Sequence, residues 1–323
     1  MNRPFRLSLW VVPPCVLLLA GCFGGKAQPA RPEALLRAET TLSRGLRAEQ
    51  KGDSLEAEKL LIQSLTISTS IEDNPARAAA LINLARLYRL QQDLPKAESC
   101  IDQALAIVED TPHLSAEAIY EKALVELAKG RPSTALEWAQ KAIAAERGSA
   151  HGSRLNLAAR IHLVQGNWSE ADALARKALS ENRSLGQAEE EANSLRTLGI
   201  VARHEKNYDQ GAQLLGEALR IDKRIGKNSK IATDLGELAG TARSAGKLRD
   251  SAVYLERAFE VNQAGGRLRQ AKENQEALAD VYSALGEDLK ATSARETARR
   301  LALPDATQKP GSSSATINPS SRP

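Results

Sequence analysis

Aromatic residues are scarce in this chain: phenylalanine, tyrosine and tryptophan together make up only 3% of it. Because aromatic rings supply much of the bulk in most protein cores, a folded body with so few must build its core from alanine and leucine. The sequence also has no His-Glu-x-x-His, no Gly-x-Ser-x-Gly, no P-loop and no dinucleotide-binding glycine motif. Its four histidines do not pair at metal-ligand spacing. These absences predict a non-enzymatic protein without a metal or another cofactor.

A strong excess of charge of one sign is also missing. The formal net charge is +4, and two of the basic residues, Arg3 and Arg6, lie at the amino terminus. The rest of the chain is therefore close to neutral and has no electrostatic reason to bind nucleic acid. We expect neither a nucleic-acid partner nor a small-molecule substrate.

The amino-terminal segment combines this basic start with a short apolar run from Leu7 to Ala20. The run is short for a bilayer span but typical of a secretory signal. It ends in Leu18-Leu19-Ala20-Gly21-Cys22, which resembles the lipobox of bacterial lipoproteins. The resemblance implies that residues 1–21 are removed and that Cys22 is lipidated by palmitate-type chains. The alternative is a plain secretory signal with an incidental cysteine.

The residue after the lipobox bears on location. An aspartate in that place retains many Gram-negative lipoproteins at the inner membrane, whereas this chain has Phe23. The resemblance therefore implies a lipid anchor in the outer membrane, with the protein on its periplasmic face. Residues 22–32 contain glycine and proline and are expected to form a flexible tether, and residues 303–323 a disordered Ser/Pro-rich tail. With Cys15 and Cys22 used in this way, Cys100 has no internal disulfide partner.

The sequence between residues 33 and 302 repeats with a period of 36 to 40 residues. Each of seven units carries three small residues at fixed spacing, and each is alanine, glycine or serine. The middle one of each set, which we call the anchor, is Ala57, Ala97, Ala135, Ala171, Gly211, Ser251 or Ala291. The first lies twelve residues before the anchor and the third seven residues after it. Such spacing predicts a helical hairpin whose two helices approach closely at short side chains.

This pattern resembles the tetratricopeptide repeat family. Leu84-Ala85-Arg86-Leu87-Tyr88 with Ala97 and Ala104 gives one of the closest local matches. The resemblance implies an all-α fold, a right-handed superhelical solenoid of about seven hairpins over residues 33–302. It departs from the usual 34-residue period of the family, because most units here are near 40 residues.

In tetratricopeptide arrays the first helices of the hairpins line a concave surface. Positions three before, one after and four after the first-helix small residue share one helical face. In units two, four, five and six, half of these positions are arginine, whose planar guanidinium binds carboxylates through two hydrogen bonds. The candidate groove residues are Arg86, Arg89, Tyr120, Leu124, Leu127, Asn156, Arg160, Arg196, Arg203 and Arg243. Alternatively, these arginines pair with acidic neighbours inside the solenoid.

The sequence therefore predicts a scaffold that is attached to the membrane by lipid and binds a protein or peptide partner bearing acidic groups. Tyr120, Leu124 and Leu127 would give that partner an apolar contact. Proteins of this design resemble assembly lipoproteins of envelope and pilus complexes. Two alternatives remain at this stage: a periplasmic chaperone or adaptor that holds exported chains, and a regulator of a cell-wall enzyme.

Overall fold

The structure is a computed structural model that describes residues 32–108, 111–146 and 148–302. These residues form fourteen α-helices and no strand. The helices are α1 (Glu33–Gln50), α2 (Ser54–Ser70), α3 (Asn74–Leu90), α4 (Leu94–Leu105), α5 (Pro112–Ala128), α6 (Pro132–Ala145), α7 (His151–Gln165), α8 (Trp168–Ser184), α9 (Ala188–His204), α10 (Tyr208–Arg224), α11 (Asn228–Ser244), α12 (Leu248–Ala264), α13 (Leu268–Ala284) and α14 (Asp288–Ala302).

Several sequence predictions fall on residues that the structure does not describe. The lipobox with Cys22, all of the tether except its last residue, and the tail at 303–323 lie outside the described residues. Among the helices that the structure describes, none combines the length and the apolar character that a bilayer crossing requires.

The helices pair in chain order into seven hairpins, from α1 with α2 to α13 with α14, and each hairpin stacks on the next. This arrangement confirms the predicted all-α solenoid. Most turns between helices are three residues long, and the middle residue has a positive φ, as in Gly226 (71°) and Gly246 (75°). Glycine adopts this left-handed conformation without steric cost, which explains its recurrence at these turns. Glu72, Gln92 and Lys206 hold the same conformation without being glycine.

The small residues of the repeat lie where the helices touch, and all 21 of them are buried. A close approach occurs in the fifth hairpin, between Gly199 of α9 and Gly211 of α10. A Cβ atom on Gly199 would lie 2.6 Å from Cγ of Leu215 and 3.2 Å from the carbonyl oxygen of Gly211. A side chain at this point would push the two helices apart, so the requirement for small residues is steric.

The hairpins form two layers. The inner layer consists of the odd-numbered helices, and from α1 to α11 each of these contacts the next odd-numbered helix directly. The even-numbered helices form the outer layer, and within the described chain their backbones do not approach one another in this way. Because the first helices of the hairpins are closer together than the second helices, the solenoid curves with the inner layer on its concave side.

Candidate functional site

A cleft of about 300 Å³ opens on the concave side between α5, α7, α9 and α11. Its walls include four of the candidate groove residues, namely Tyr120, Asn156, Arg160 and Arg196. The other residues that line it are Ser153, Leu157, Leu163, Glu190, Asn193, Thr197, Ile200, Lys230 and Thr233. The structure therefore brings the centre of the predicted stripe together in one site and leaves both ends of the stripe outside it.

Four of the six candidate arginines form ion pairs within the solenoid. Arg86 donates to Glu49 at 2.8 Å and Arg89 to Glu121 at 2.5 Å. Arg203 donates to Glu237 at 2.8 Å. Arg196 is buried and binds two carboxylates, Asp222 at 2.5 Å and Asp234 at 2.6 Å. These four arginines are therefore paired with acidic residues inside the solenoid, which is the alternative that the sequence left open.

The pairs of Arg86, Arg89 and Arg203 follow two positional rules. An arginine one residue after the first-helix small residue pairs with the residue four after the small residue of the preceding hairpin, as Arg86 does with Glu49. An arginine four residues after the small residue pairs with the residue two before the small residue of the next hairpin. Arg89 with Glu121 and Arg203 with Glu237 obey this second rule.

The same rules explain why Arg160 and Arg243 stand apart. The position that would supply an acid to Arg160 holds Leu127, and the position that would supply one to Arg243 holds Ala277. Neither arginine makes a hydrogen bond or ion pair with another described residue, and both are exposed to solvent. Only Arg160 lies in the central cleft.

Groups of both signs act on Arg160. The walls of the cleft withdraw part of its hydration, which lowers its pKa, and the guanidinium groups of Arg89 and Arg196 lower it further, while Tyr120 and Glu190 oppose this shift. Burial also lowers the pKa of Lys230 across the cleft, and Arg196 and Arg160 add to that shift. Since like charges disfavour each other's ionised forms, an anion placed between these groups would be stabilised.

The acidic residue that lines the cleft, Glu190, is already hydrogen-bonded to neighbouring side chains. Glu190 accepts hydrogen bonds from the side-chain amides of Asn156 at 2.8 Å and Asn193 at 3.3 Å. Asn156 in turn accepts a hydrogen bond from the hydroxyl of Ser194 at 2.7 Å. Asn156 is therefore buried in a network that shapes the cleft wall and restrains Glu190.

The apolar end of the predicted stripe belongs to the core. Leu124 and Leu127 are half-buried and pack against a cluster that contains Ala139, Leu157 and Ile161. The ring of Tyr120 lies under the guanidinium of Arg154, 4.0 Å from ring centre to Cζ. Of the three, Tyr120 alone reaches the cleft, where burial raises its pKa to about 12.

The sequence stripe missed several residues that line the cleft. Lys230 and Glu190 lie nine residues before the small residue of their helices, and Thr233, Asn193 and Ser153 lie six before. These positions continue the same face of the helix by one and two further turns toward its start. Extending the stripe in that direction would have found them.

No group of three or more His, Cys, Asp or Glu side chains is placed to hold a metal ion in the part of the chain that the structure describes. Cys100 is half-buried against the core of the first hairpins, and burial raises the pKa of its thiol to about 11. The thiol is therefore protonated and poorly reactive near neutral pH.

A family model of the tetratricopeptide repeat matches residues 36–110 and 190–264. Tetratricopeptide repeats are therefore present in the chain. The matched family is a repeat family and not a catalytic one. No curated protein matches the chain.

Solved structures of similar fold include other tetratricopeptide solenoids. A Rap protein complexed with competence and sporulation factor aligns with a TM-score of 0.65 at 14% identity, over 82% of this chain and 76% of that one. The pilus biogenesis factor PilW aligns with a TM-score of 0.51 at 15% identity, over 68% and 91%.

A STAND signal-transduction ATPase with a tetratricopeptide repeat sensor, from Pyrococcus horikoshii, aligns with a TM-score of 0.59 at 19% identity. The alignment covers 81% of this chain but only 42% of the Pyrococcus protein. At these identities the three likenesses show a common fold.

Proposed function

We propose that this tetratricopeptide solenoid is a non-enzymatic scaffold that binds an extended or helical segment of a partner protein on its concave face. An acidic side chain of that segment, or its carboxy-terminal carboxylate, binds Arg160. The observation that carries the proposal is the position of Arg160, which lies unpaired in the central cleft while four of the other groove arginines are neutralised from within.

The chemistry of the cleft favours a carboxylate over a neutral group. Arg160 and Arg196 lower the pKa of Lys230, and Arg89 and Arg196 lower the pKa of Arg160, so an incoming anion relieves repulsion among these cations. Glu190 acts on Arg160 electrostatically, but its carboxylate is hydrogen-bonded to Asn156 and Asn193 and makes no ion pair with Arg160. Ile200 and Leu163 supply apolar surface beside the charged groups.

The test begins with a photo-crosslinking residue in place of Ile200 in the lipidated protein, in envelope membranes. Mass spectrometry of the crosslinked product identifies the bound segment. A synthetic peptide of that segment is then titrated by fluorescence anisotropy against the unsubstituted protein and Arg160→Ala. A charge-assisted hydrogen bond contributes roughly 1.5–3 kcal/mol, so we expect affinity to fall about 10- to 100-fold.

Arg220→Ala is the matched control, because Arg220 is an exposed arginine of the outer helix α10 with no bonded partner among the described residues. It should bind the peptide as the unsubstituted protein does. A peptide whose acidic group is replaced by an amide should lose affinity for the unsubstituted protein and little for Arg160→Ala. Equal binding by the two proteins and both peptides would refute the groove proposal.

The location of this scaffold is a separate part of the proposal. We propose that lipid on Cys22 holds the solenoid at the periplasmic face of the outer membrane, where it serves the assembly of an envelope or pilus complex. The lipobox-like Leu18-Leu19-Ala20-Gly21-Cys22 supports the anchor, and the likeness to the pilus biogenesis factor PilW is compatible with the process. Metabolic labelling with a palmitate analogue tests it: the label should appear in the natural chain and be absent from Cys22→Ser, which should leave the membrane fraction.

A further inference from the structure

One buried polar contact recurs where the second helix of a hairpin meets the first helix of the next. In the carboxy-terminal half its two residues are twelve positions apart and repeat every 40 residues. Between α8 and α9 the amide of Asn182 donates to the hydroxyl of Ser194 at 3.3 Å. Between α12 and α13 the amide of Asn262 donates to the side-chain oxygen of Asn274 at 2.7 Å. Each of these junctions has a hydrogen-bond donor of its own.

The junction between α10 and α11 has two carboxyl groups in this place, Asp222 and Asp234, and both are completely buried. Arg196 of α9 binds one oxygen of each, through Nη2 to Oδ2 of Asp222 and through Nε to Oδ1 of Asp234. The other two oxygens, Oδ1 of Asp222 and Oδ2 of Asp234, accept no hydrogen bond from the described residues. A buried oxygen without a donor is costly, and here two such oxygens occur in one pair.

The charges around the pair do not balance if both groups are ionised. Two carboxylates and the guanidinium of Arg196 leave one buried negative charge. The other charged groups that act on Asp222 are Lys230 of α11 and Glu189 of α9. Lys230 donates to Asn193 and Glu189 binds Lys227, and neither lysine is within ion-pair distance of Asp222 or Asp234. A proton is the smallest group that both satisfies the two oxygens and neutralises the charge.

We propose that Asp222 and Asp234 share one proton, with Oδ2 of Asp234 donating to Oδ1 of Asp222. This restores, at the acid pair, the hydrogen bond that amide side chains make at the equivalent junctions. It assigns a proton-binding site to the contact between the fifth and sixth hairpins. The inference does not depend on the groove binding a peptide.

The electrostatics of the two groups agree with this assignment. Burial raises the pKa of Asp234 to about 7, against the opposing effect of Arg196, and the neighbouring Asp222 raises it further. Burial also raises the pKa of Asp222, while Arg196 and the hydrogen bond with Asp234 lower it. The proton is therefore held mainly on Asp234, and Asp222 is the ionised acceptor.

The shared proton makes the stability of the solenoid depend on pH. A carboxyl group whose pKa is raised in the folded state gives its full stability below the unfolded pKa, about 4, and loses it as pH rises to the folded pKa. The decline therefore lies between about pH 4 and about pH 7. Over that window the unfolding equilibrium constant rises by up to about tenfold for each pH unit. Arg196, which binds both carboxyl groups, also lines the cleft, as does Lys230. The shared proton therefore lies next to residues that form a wall of the cleft.

The direct test is NMR titration of the full chain labelled with ¹³C at the side-chain carboxyl of aspartate. We expect one aspartate signal with a midpoint near neutral pH, which disappears in both Asp234→Asn and Asp222→Asn. Asp250→Asn is the control, since Asp250 is exposed on α12, and it should retain the signal. If no aspartate titrates near neutral pH, or if the signal survives both substitutions, the proposal is wrong.

Urea unfolding between pH 4 and pH 8 provides the second measurement. Asparagine at position 234 supplies a permanent donor, so Asp234→Asn should keep its urea midpoint across the range in which the natural chain loses stability. Asp222→Asn should behave in the same way, which covers the case in which one variant folds poorly. A decline of the same steepness in both variants as in the natural chain would overturn the proposal.

Discussion

The inner and outer layers of this solenoid use charge in different ways. Ion pairs of the inner layer join residues that are far apart in sequence and lie in successive hairpins, as Arg86 does with Glu49 and Arg203 with Glu237. Several ion pairs of the outer layer, such as Lys59 with Glu56, join residues three or four apart on one exposed helix surface.

The difference follows from the curvature of the solenoid. On the concave side the first helices of successive hairpins are close enough for a side chain of one to reach the next, and the pairs are partly withdrawn from water. On the convex side Arg183 of α8 still reaches Glu217 of α10, but other charges, such as Arg176 with Asp172, find a partner on their own helix. Exposed pairs of that kind contribute little, whereas breaking a buried pair leaves an uncompensated charge. The ion pairs that join successive hairpins and are partly buried therefore lie mainly in the inner layer.

The largest effect that separates the layers is expected from Arg196→Ala. Removing this guanidinium leaves Asp222 and Asp234 buried without a cation, and breaking a buried pair costs about 3–5 kcal/mol. We expect that loss in the free energy of unfolding at pH 8, measured by urea denaturation. The loss should be smaller at pH 5, where the two carboxyl groups take up protons and less charge is left unpaired.

Arg176→Ala is the outer-layer counterpart. Arg176 pairs with Asp172 four residues earlier on α8, and its side chain is 63% exposed. Such a pair contributes about 0.3–0.5 kcal/mol, so the variant should unfold almost as the natural chain does. Similar losses in the two variants would mean that burial does not distinguish the layers.

The next effect is expected where the two layers touch, at Gly199. A methyl group there would lie 2.6 Å from Cγ of Leu215, and overpacking of this kind costs about 1–3 kcal/mol. Gly199→Ala should lower the free energy of unfolding by that amount. Gly216→Ala on α10 is the matched control, because a Cβ there meets nothing within 4 Å. Alanine is the better helix former, so this control should gain up to about 1 kcal/mol.

The repeat and the close contacts of the hairpins were predictable from sequence because they recur. Each hairpin meets its neighbours in the same way, so the requirement for a small residue at one point appears at the same place in every unit. The burial of all 21 small residues reflects this. A signal repeated seven times is readable even when the period drifts between 36 and 40 residues.

The pairing state of each groove arginine was not predicted, because the face of a single helix does not contain its partner. Glu121 and Glu237 come from the next hairpin, 32 and 34 residues along the chain from Arg89 and Arg203. The acid pair was missed for a related reason, since Asp222 and Asp234 become a site only when α10 packs on α11. Aligning the units would have shown Leu127 in the place of an acid opposite Arg160, and that was the available signal.

A smaller effect is expected at the turns that join the two layers. Lys206 lies in the middle of the turn between α9 and α10 with a φ of 64°, where the equivalent residue of the next hairpin is Gly246. Lys206→Gly relieves the strain of a side chain in the left-handed region but adds freedom to the unfolded chain, for a net gain of about 0.5–1 kcal/mol. Thermal unfolding measures it, and Gly246→Lys should show a loss of similar size. A loss in Lys206→Gly would indicate that the lysine side chain contributes more than its backbone costs.

The smallest effect on stability is expected from Arg160→Ala, and it is the one that sets Arg160 apart from the rest of the inner layer. Arg160 makes no hydrogen bond or ion pair with the described chain, so its removal breaks no polar contact between hairpins. The free energy of unfolding should change by less than about 0.5 kcal/mol in urea denaturation, as for an ordinary surface residue. Arg89→Ala, which breaks the partly buried pair with Glu121, should lose clearly more. A loss in Arg160→Ala as large as that of Arg89→Ala would assign Arg160 to the framework. An almost unchanged free energy of unfolding together with weakened peptide binding would mean that Arg160 serves to bind the partner.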